Sequence, residues 1–274
     1  MICEKHRLID KQSWTTILRQ EIMAVRLLIV ICGLKLVIGK QEGFIVGGDY
    51  VQSVTDYPHV ALLSIVKNDG SESFCGSSIL NQIILLTVAH CFDDVVRATA
   101  LAGSLDRKKG KLYRIDRYRQ HKQWQIKNVI NDIALVRLKI PLSFGKTVKR
   151  VIVMKNPPKA IIAEVAGWGA TDEDYLSETN LLKHTKQKLW SNKECREVLP
   201  KAPQGTICGG ERRSKKDFAS NGDSGSGLVV NKNFIIGLVS FKLNTVSRSL
   251  VVYTHVPYFY DWIFVESKRL ACSE

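Results

Sequence analysis

The string Asn-Gly-Asp-Ser-Gly at residues 221–225 constrains this chain more than any other feature. Taken alone it is a modest signal, because Gly, Asp and Ser also make ordinary turns. Two further strings lie upstream: Leu-Thr-Val-Ala-His-Cys, which contains His90, and Asn-Asp-Ile-Ala-Leu, which contains Asp132. A base, an acid and the hydroxyl of Ser224 therefore follow one another along the chain, and nucleophilic catalysis combines these residue types.

The chemistry of serine explains why these residues belong together. A serine hydroxyl is a poor nucleophile at neutral pH, so it needs a base within hydrogen-bond reach, and that base needs a third group to fix its tautomer. We expect His90 to take the proton of Ser224, and Asp132 to hold the imidazole and stabilise the imidazolium. The backbone N–H groups of Gly222 and Ser224 would face the developing oxyanion, where one donor is worth about 2.7–4 kcal/mol of barrier.

A fourth string, Ile-Val-Gly-Gly at residues 45–48, resembles the new N-terminus that chymotrypsin-like zymogens expose when they are cut. With the chain order His, Asp, Ser, the sequence from residue 45 to about residue 270 resembles the chymotrypsin-like (trypsin-type, S1) serine protease family. The resemblance implies that the freed ammonium of Ile45 enters the protein and pairs with Asp223. A buried charge is costly without a partner, so this cut switches a site between disordered and assembled states.

The resemblance also implies an all-β fold, with two six-stranded antiparallel Greek-key β-barrels and a C-terminal helix. Short runs rich in Val, Ile, Leu and Tyr agree with this fold. They predict first-barrel strands at residues 59–66, 78–86, 111–118 and 133–138, and second-barrel strands at residues 161–168, 184–190, 227–230, 234–240 and 250–254. Residues 141–159 would cross between the barrels, and Pro257 would open the closing helix. The site would then lie in the cleft between the barrels.

The N-terminal region predicts export and processing. Arg26 precedes an apolar run that is short for a membrane span and is interrupted by Lys35, as in a secretory signal. We predict four segments, in chain order: an N-terminal extension at residues 1–22, a signal peptide at residues 23–39, a short propeptide at residues 40–44, and a serine protease domain at residues 45–274. A buried strand or a type II signal anchor is the alternative for residues 23–39. The expected protein is secreted and extracellular, without a stable membrane anchor.

The cysteines fit secretion. The resemblance implies one disulfide between Cys75 and Cys91 and a second between Cys195 and Cys208. Cys272 is then left over near the C-terminus, either free or linked to another chain. A third bridge that is usual in the family is missing, because position 220 is Ser and residues 242–252 contain no cysteine.

The residues that correspond to the primary specificity pocket depart from the trypsin pattern. Phe218 stands where trypsin-like enzymes carry an acid, so a pocket that selects cations is not expected. Ser240, Phe241 and Lys242 resemble the strand that pairs with the substrate backbone. Lys242 and Val251 both replace residues that are usually glycine, and both add volume. The pattern predicts a narrowed pocket, closer to elastase-type enzymes that accept small apolar side chains.

The charge of the chain bears on its partners. The formal net charge is +14, and residues 45–274 carry 33 basic and 22 acidic side chains, with basic residues dense between residues 107 and 127. Such a surface attracts acidic substrates or sulfated polymers, and a solvated loop face is the alternative reading. No nucleic acid, cofactor or metal is expected. The expected partners are a polypeptide substrate, an activating protease and protein protease inhibitors. Phe44 argues against a trypsin-like activator, and either a chymotrypsin-like cut after Phe44 or trimming of residues 40–44 by an aminopeptidase would expose Ile45.

These observations predict a secreted serine endopeptidase that hydrolyses peptide bonds through an acyl-enzyme, with non-trypsin-like primary specificity. The alternative is a catalytically weak or inactive serine protease homologue that acts as a binding protein. The crowded pocket, the missing third bridge and Phe44 before the expected cut all motivate that alternative.

Overall fold

The computed structural model describes residue 45 and residues 48–170, 179–211 and 218–272. The predicted extension, signal peptide and propeptide lie outside these residues. The chain divides into two compact units, Met1–Glu42 and Gly43–Glu274, and the second contains every described residue.

The strands of the described residues are, in chain order, β1 (Asp49–Tyr50), β2 (Val60–Lys67), β3 (Glu72–Ile79), β4 (Ile84–Thr87), β5 (Val95–Ala102), β6 (Lys111–Gln120), β7 (Ala134–Leu138), β8 (Ile152–Val153), β9 (Ile162–Gly167), β10 (Lys183–Lys188), β11 (Thr206–Gly209), β12 (Gly227–Val230), β13 (Phe234–Lys242) and β14 (Val251–His255). The helices are α1 (Asn192–Val198) and α2 (Tyr260–Cys272). Most strands are rich in β-branched residues and Leu, which favour a pleated, half-buried surface.

The first barrel is a closed sheet of six strands in the spatial order β2-β3-β4-β7-β6-β5. Its interior is filled by aliphatic side chains such as Leu63, Ile65, Leu85 and Leu135, each of which is fully buried. Burying one such side chain contributes about 1.5–3 kcal/mol relative to leaving it exposed. Because the barrel is closed, the strand ends that carry site residues are fixed on both sides.

The second barrel is built from the long strands in the spatial order β10-β9-β12-β13-β14-β11. An antiparallel bridge between Leu189 and Gly209 brings the end of β11 back to the end of β10 and closes the sheet. Short strands β1 and β8 pair with β10 and β13. The prediction of an all-β fold with two six-stranded barrels and a C-terminal helix is confirmed.

The helices begin where the sequence supplies caps. Ser191 and Glu194 form a capping box at the start of α1, in which each side chain accepts a backbone N–H of the other residue. Pro257 lies in a short 3₁₀ turn directly before α2, which buries Ile263 and Leu270 against the first barrel. Among the described residues, no helix is both long enough and apolar enough to span a bilayer.

The structure corrects several strand predictions. Residues 78–86 were predicted as one strand, but the side chain of Asn81 accepts the N–H groups of Ile83 and Ile84 at 2.9 Å and separates β3 from β4. The sequence analysis did not predict the short strands β1 and β8, or β5, β11 and α1. Strand β5 was missed because its outward face, with Arg97 and Thr99, breaks the apolar run.

Candidate active site

His90 and Asp132 form a two-point contact at one end of the first barrel. His90 lies in a short 3₁₀ turn after β4, and Asp132 lies in the loop before β7. The Nδ1 atom of His90 is 2.8 Å from Oδ2 of Asp132, and the backbone N–H of His90 donates to Oδ1 at 2.9 Å. Asp132 is 2% exposed, whereas the His90 side chain is partly open to solvent. The buried carboxylate therefore fixes both the position and the tautomer of the ring.

The second barrel also contacts Asp132. The hydroxyl of Ser240, on β13, donates to Oδ2 at 2.5 Å. The hydroxyl of Thr254, on β14, donates to the backbone carbonyl of Asp132 at 2.7 Å. These contacts fasten a loop of one barrel to two strands of the other, and the Ser240 hydroxyl helps to satisfy a carboxylate that would be costly to bury alone.

Ser224 lies in a turn that is pressed against the first barrel. Its carbonyl accepts the N–H of Gly76 on β3 at 2.7 Å, and the N–H of Gly225 donates to the carbonyl of Val239 at 2.8 Å. Gly225 has a φ of +81°, and a Cβ at that position would collide with Thr87 Oγ1 and with the carbonyl of Gly76. Thr87 ends the strand that leads to His90. The close approach brings the serine turn and the histidine turn to the same side of the interface.

Two backbone N–H groups of the serine turn point to no acceptor. In the described residues, neither the N–H of Gly222 nor that of Ser224 donates a hydrogen bond. Gly222 has a φ of +90°, which suits glycine. Within the same set, the Ser224 hydroxyl makes no hydrogen bond to His90. Nucleophile–base contacts are often long without substrate and tighten when it binds.

Asp223 is fully buried beside this turn. Its Oδ1 accepts the N–H of Gly169 at 2.8 Å and its Oδ2 accepts the N–H of Ser220 at 2.9 Å. Burial raises the pKa of Asp223 to about 6, and the two hydrogen bonds and the charges of Lys242 and Lys183 oppose the rise only in part. The fold therefore holds a carboxyl group that gains from a close cation.

Ile45 is the predicted partner of Asp223 in activation. It is 1% exposed, and its carbonyl accepts the N–H of Gly48 at 2.8 Å. The ammonium of Lys183 donates to the carbonyl of Gly48 at 2.6 Å and lies 4.6 Å from the ring of Tyr50. Ile45, which would carry the new N-terminus, is thus inside the protein, and a buried cation contacts Gly48 three residues later.

Phe218, Lys242 and Val251, which were predicted to narrow the pocket, lie close together in the second barrel. Phe218 is 1% exposed and packs in one apolar cluster with Val251 and Tyr253. The Nζ atom of Lys242 lies 3.7 Å from the centroid of the Phe218 ring, which is a cation–π contact. The amine of Lys242 therefore points inward, toward the aromatic ring.

A cleft of about 540 Å³ lies beside Ser224 and Lys242. Its lining residues are Ser220, Asn221, Ser224, Val239, Ser240, Phe241, Lys242, Asn244 and Arg248. Neither Phe218 nor Val251 is among the residues that line this cleft.

The cysteines pair as the resemblance implied. Disulfides join Cys75 to Cys91, around the strand before His90, and Cys195 to Cys208. Cys272 is exposed and is not bridged to another described residue. In the described part of the chain, no group of three or more His, Cys, Asp or Glu side chains is arranged to hold a metal ion.

Three residues of this region were missed by the sequence analysis. Gly76 positions the serine turn, Thr254 anchors the loop of Asp132, and Lys183 contacts the segment after Ile45. Each acts through a contact between distant parts of the chain, and none lies in a string that marks catalysis.

Comparisons with known proteins point to the same family over most of the chain. A family model described as Trypsin matches residues 45–263. The chain is 29% identical to trypsin eta of Drosophila erecta over 88% of this chain and 97% of that protein. It is 29% identical to the collagenase of Hypoderma lineatum over 81% of this chain and 87% of that protein. The solved structure of HL collagenase superposes with a TM-score of 0.73 at 26% identity, covering 82% of this chain and 99% of that chain.

Proposed function

Because this chain belongs to the trypsin family and is a serine-type endopeptidase, we propose that His90, Asp132 and Ser224 are its catalytic triad. The contact between His90 and Asp132, held from both barrels, is the observation that carries this proposal. It provides an oriented base at the place where the serine turn meets the first barrel.

In the proposed reaction, His90 Nε2 removes the proton of Ser224 as the serine oxygen attacks the carbonyl carbon of a peptide bond. Asp132 stabilises the imidazolium that forms, and the N–H groups of Gly222 and Ser224 stabilise the oxyanion. The imidazolium then gives its proton to the leaving amine, and an acyl-enzyme remains on Ser224. Water, deprotonated by His90, attacks this ester and releases the second product.

The primary specificity of this enzyme is for small, uncharged side chains. Phe218 and Val251 occupy the volume that a long side chain would need, which supports this proposal. Lys242 and Arg248 line the cleft beside Ser224, so a substrate lysine or arginine would meet like charge. Volume and electrostatics therefore both argue against trypsin-type specificity.

Maturation follows from the same proposal. Residues 23–39 direct secretion, and removal of residues 40–44 by a protease that cuts after Phe44 frees the ammonium of Ile45. The buried, partly protonated carboxyl of Asp223 then gains a cationic partner, and this order–disorder step assembles the oxyanion site. The mature enzyme acts outside the cell on polypeptides and is a target for protein inhibitors.

Labelling with a fluorophosphonate probe tests the proposal. The full chain, with Phe44→Lys to allow a controlled cut before Ile45, is labelled before and after cleavage, and mass spectrometry locates the adduct. We expect labelling of Ser224 after the cut and none in Ser224→Ala or in the uncut chain. A control protease in the same reaction confirms that the probe is active.

The binding-protein alternative predicts a different result. It is motivated by the filled pocket and by the unengaged hydroxyl of Ser224. If the cut chain neither reacts with the probe nor cleaves any peptide of a library, the triad proposal is wrong and the binding function replaces it.

A further inference from the structure

A groove of about 510 Å³ lies on the outer face of the first barrel, separate from the cleft that contains Ser224. Three exposed cationic side chains line it: Arg97 on β5, Arg114 on β6 and Lys139 directly after β7. The sheet brings them together, because Thr99 lies opposite Arg114 and the N–H of Lys139 donates to the carbonyl of Arg114 at 2.9 Å. The charge cluster is therefore a product of strand register and is carried by rigid elements.

Within the described residues, none of these three cations makes an ion pair or a side-chain hydrogen bond. Glu72 is the acid among the lining residues of the groove. By contrast, two neighbouring arginines on β6 and β7 are paired with an acid: Arg117 and Arg137 form ion pairs with Asp116, at 2.9 and 3.5 Å. The groove thus concentrates positive charge that the fold leaves unneutralised, and this attracts an anionic partner.

The groove also presents apolar side chains. Val66, Ala98, Leu112 and Ile115 lie among its lining residues, and Leu112 is 55% exposed. A sulfated polysaccharide has no apolar side chain to cover Leu112, whereas a polypeptide segment can place an aliphatic residue there while its carboxylates meet the cations. The mixture of cations and apolar surface favours an acidic peptide over a carbohydrate polymer.

A second cavity has one lining residue in common with the groove and reaches the candidate active site. It has a volume of about 260 Å³ and extends from Gly222 past Trp168 and Phe74 to Glu72, which also lines the groove. Arg107 lies 4.5 Å from the centroid of the Phe74 ring and adds a further cation along this path. The two cavities thus share Glu72 as a lining residue, and the second cavity begins at the proposed oxyanion site.

We propose that the groove lined by Arg97, Arg114 and Lys139 binds an acidic, leucine-containing segment of the polypeptide substrate on the C-terminal side of the scissile bond. The direction rests on the proposed function, in which the cleft beside Ser240 holds the residues that precede this bond. The residues that follow it must leave on the opposite side of Ser224, along the cavity beside Gly222. Recognition of substrate is then shared between a shallow primary pocket and a distant charged groove.

Direct binding tests the groove without any need for catalysis. The probe is a fluorescein-labelled peptide of Glu and Asp with a single Leu, titrated into the full chain carrying Ser224→Ala and followed by fluorescence anisotropy. We expect the triple substitution Arg97→Gln, Arg114→Gln, Lys139→Gln to weaken binding about tenfold, as three solvent-screened ion pairs are lost. Replacing the Leu of the peptide by Ser weakens binding to the parent chain as well.

The matched control removes the same charge elsewhere. Lys146, Lys149 and Arg150 are exposed cations in the segment between the barrels, and their triple Gln variant should bind the peptide as the parent does. Equal loss in both triple variants, or no loss in the groove variant, overturns the proposal. Tighter binding of a heparin tetrasaccharide at the groove, with no effect of the peptide Leu→Ser change, also overturns it in favour of a polyanion site. Unchanged thermal unfolding shows that each variant folds.

A kinetic experiment tests the direction. Two substrates share the sequence around the scissile bond and carry the acidic extension on its C-terminal or on its N-terminal side. We expect the C-terminal extension to lower KM in the cut chain, and the groove variant to lose this advantage while hydrolysing the unextended peptide normally. An advantage for the N-terminal extension overturns the direction. Absence of turnover refutes the proposed function. The binding experiment still shows whether the groove binds an acidic peptide.

Discussion

The hydroxyl of Ser240 lies 2.5 Å from the Oδ2 atom of Asp132, so the second barrel donates a hydrogen bond to the carboxylate that orients the histidine of the first. The same oxygen is 2.8 Å from Nδ1 of His90. The carboxylate is held between a ring that it must orient and a hydroxyl that keeps it in place. Because the two donors come from different barrels, the geometry of the base depends on how the barrels pack.

Replacing Ser240 by Ala should therefore impair catalysis without changing the fold. A hydrogen bond to a charged group contributes about 1.5–3 kcal/mol, and we expect about a tenfold lower kcat in the cut chain with little change in KM. Steady-state hydrolysis of a short peptide measures both constants. Ser267→Ala, on the exposed face of α2, is the matched control. Equal kcat values for the Ser240 variant and the control would contradict the role assigned to this hydroxyl.

Gly225→Ala should displace the serine turn. Both the positive φ and the contact with Thr87 and Gly76 exclude a side chain there. We expect a free energy of unfolding lower by more than about 2 kcal/mol, together with loss of fluorophosphonate labelling. Gly70→Ala is a matched control, because Gly70 has a φ of +80° and open space around it. If both variants lose the same stability, backbone strain alone explains the effect and the contact with the first barrel does not matter.

Phe218→Ala should destabilise the second barrel and enlarge the pocket. Truncating a buried Phe costs about 3–5 kcal/mol, whereas Phe264→Ala on α2 removes a ring that is 52% exposed and should cost far less. Urea denaturation measures both values. Peptide-library profiling of the cut chain should then show acceptance of larger apolar side chains before the scissile bond. An unchanged profile would mean that Phe218 does not limit the pocket.

Asp223 should make the uncut chain less stable as pH rises. Its pKa is about 6 in the fold and about 3.8 in an unfolded chain, so the folded state binds the proton more tightly. The resulting stabilisation is fully present below about pH 4 and is lost as pH increases through about 6. Relative to Asp223→Asn, we expect the parent to lose about 2 kcal/mol of unfolding free energy between pH 4 and pH 7.

Urea denaturation across this pH range measures the difference. Asp94→Asn, at an exposed position, is the control and should run parallel to the parent. After a cut before Ile45, an ammonium partner for Asp223 should abolish the decrease. A parent and an Asp223→Asn variant with parallel curves would show that burial does not perturb this carboxyl.

Short strings that carry chemistry predicted most of the candidate site. His90, Asp132 and Ser224 stand out because a base, an acid and a nucleophile occur in local contexts that can be read from a few residues. The two-barrel fold follows from the same resemblance and is confirmed. The roles of the individual site residues stay predictions, which the experiments above address.

The features that the sequence did not predict depend on contacts between distant parts of the chain, which no local pattern encodes. Strand β5 has small and charged residues on its outer face, so its pattern is weak, and it forms because β2 and β6 pair with it on both sides. The inward orientation of the Lys242 side chain was not predicted either, because a lysine at the rim of a pocket normally extends its amine to water. The ring of Phe218 beneath it, brought close by the fold, provides the alternative.

Strand β3 begins at Glu72, where the groove meets the second cavity, and four residues later Gly76 donates its N–H to the carbonyl of the nucleophile. One strand thus joins the distant charged surface to the backbone carbonyl of Ser224. A ligand that displaces the start of this strand is therefore expected to shift the turn that contains Ser224. Such a ligand would change kcat as well as KM.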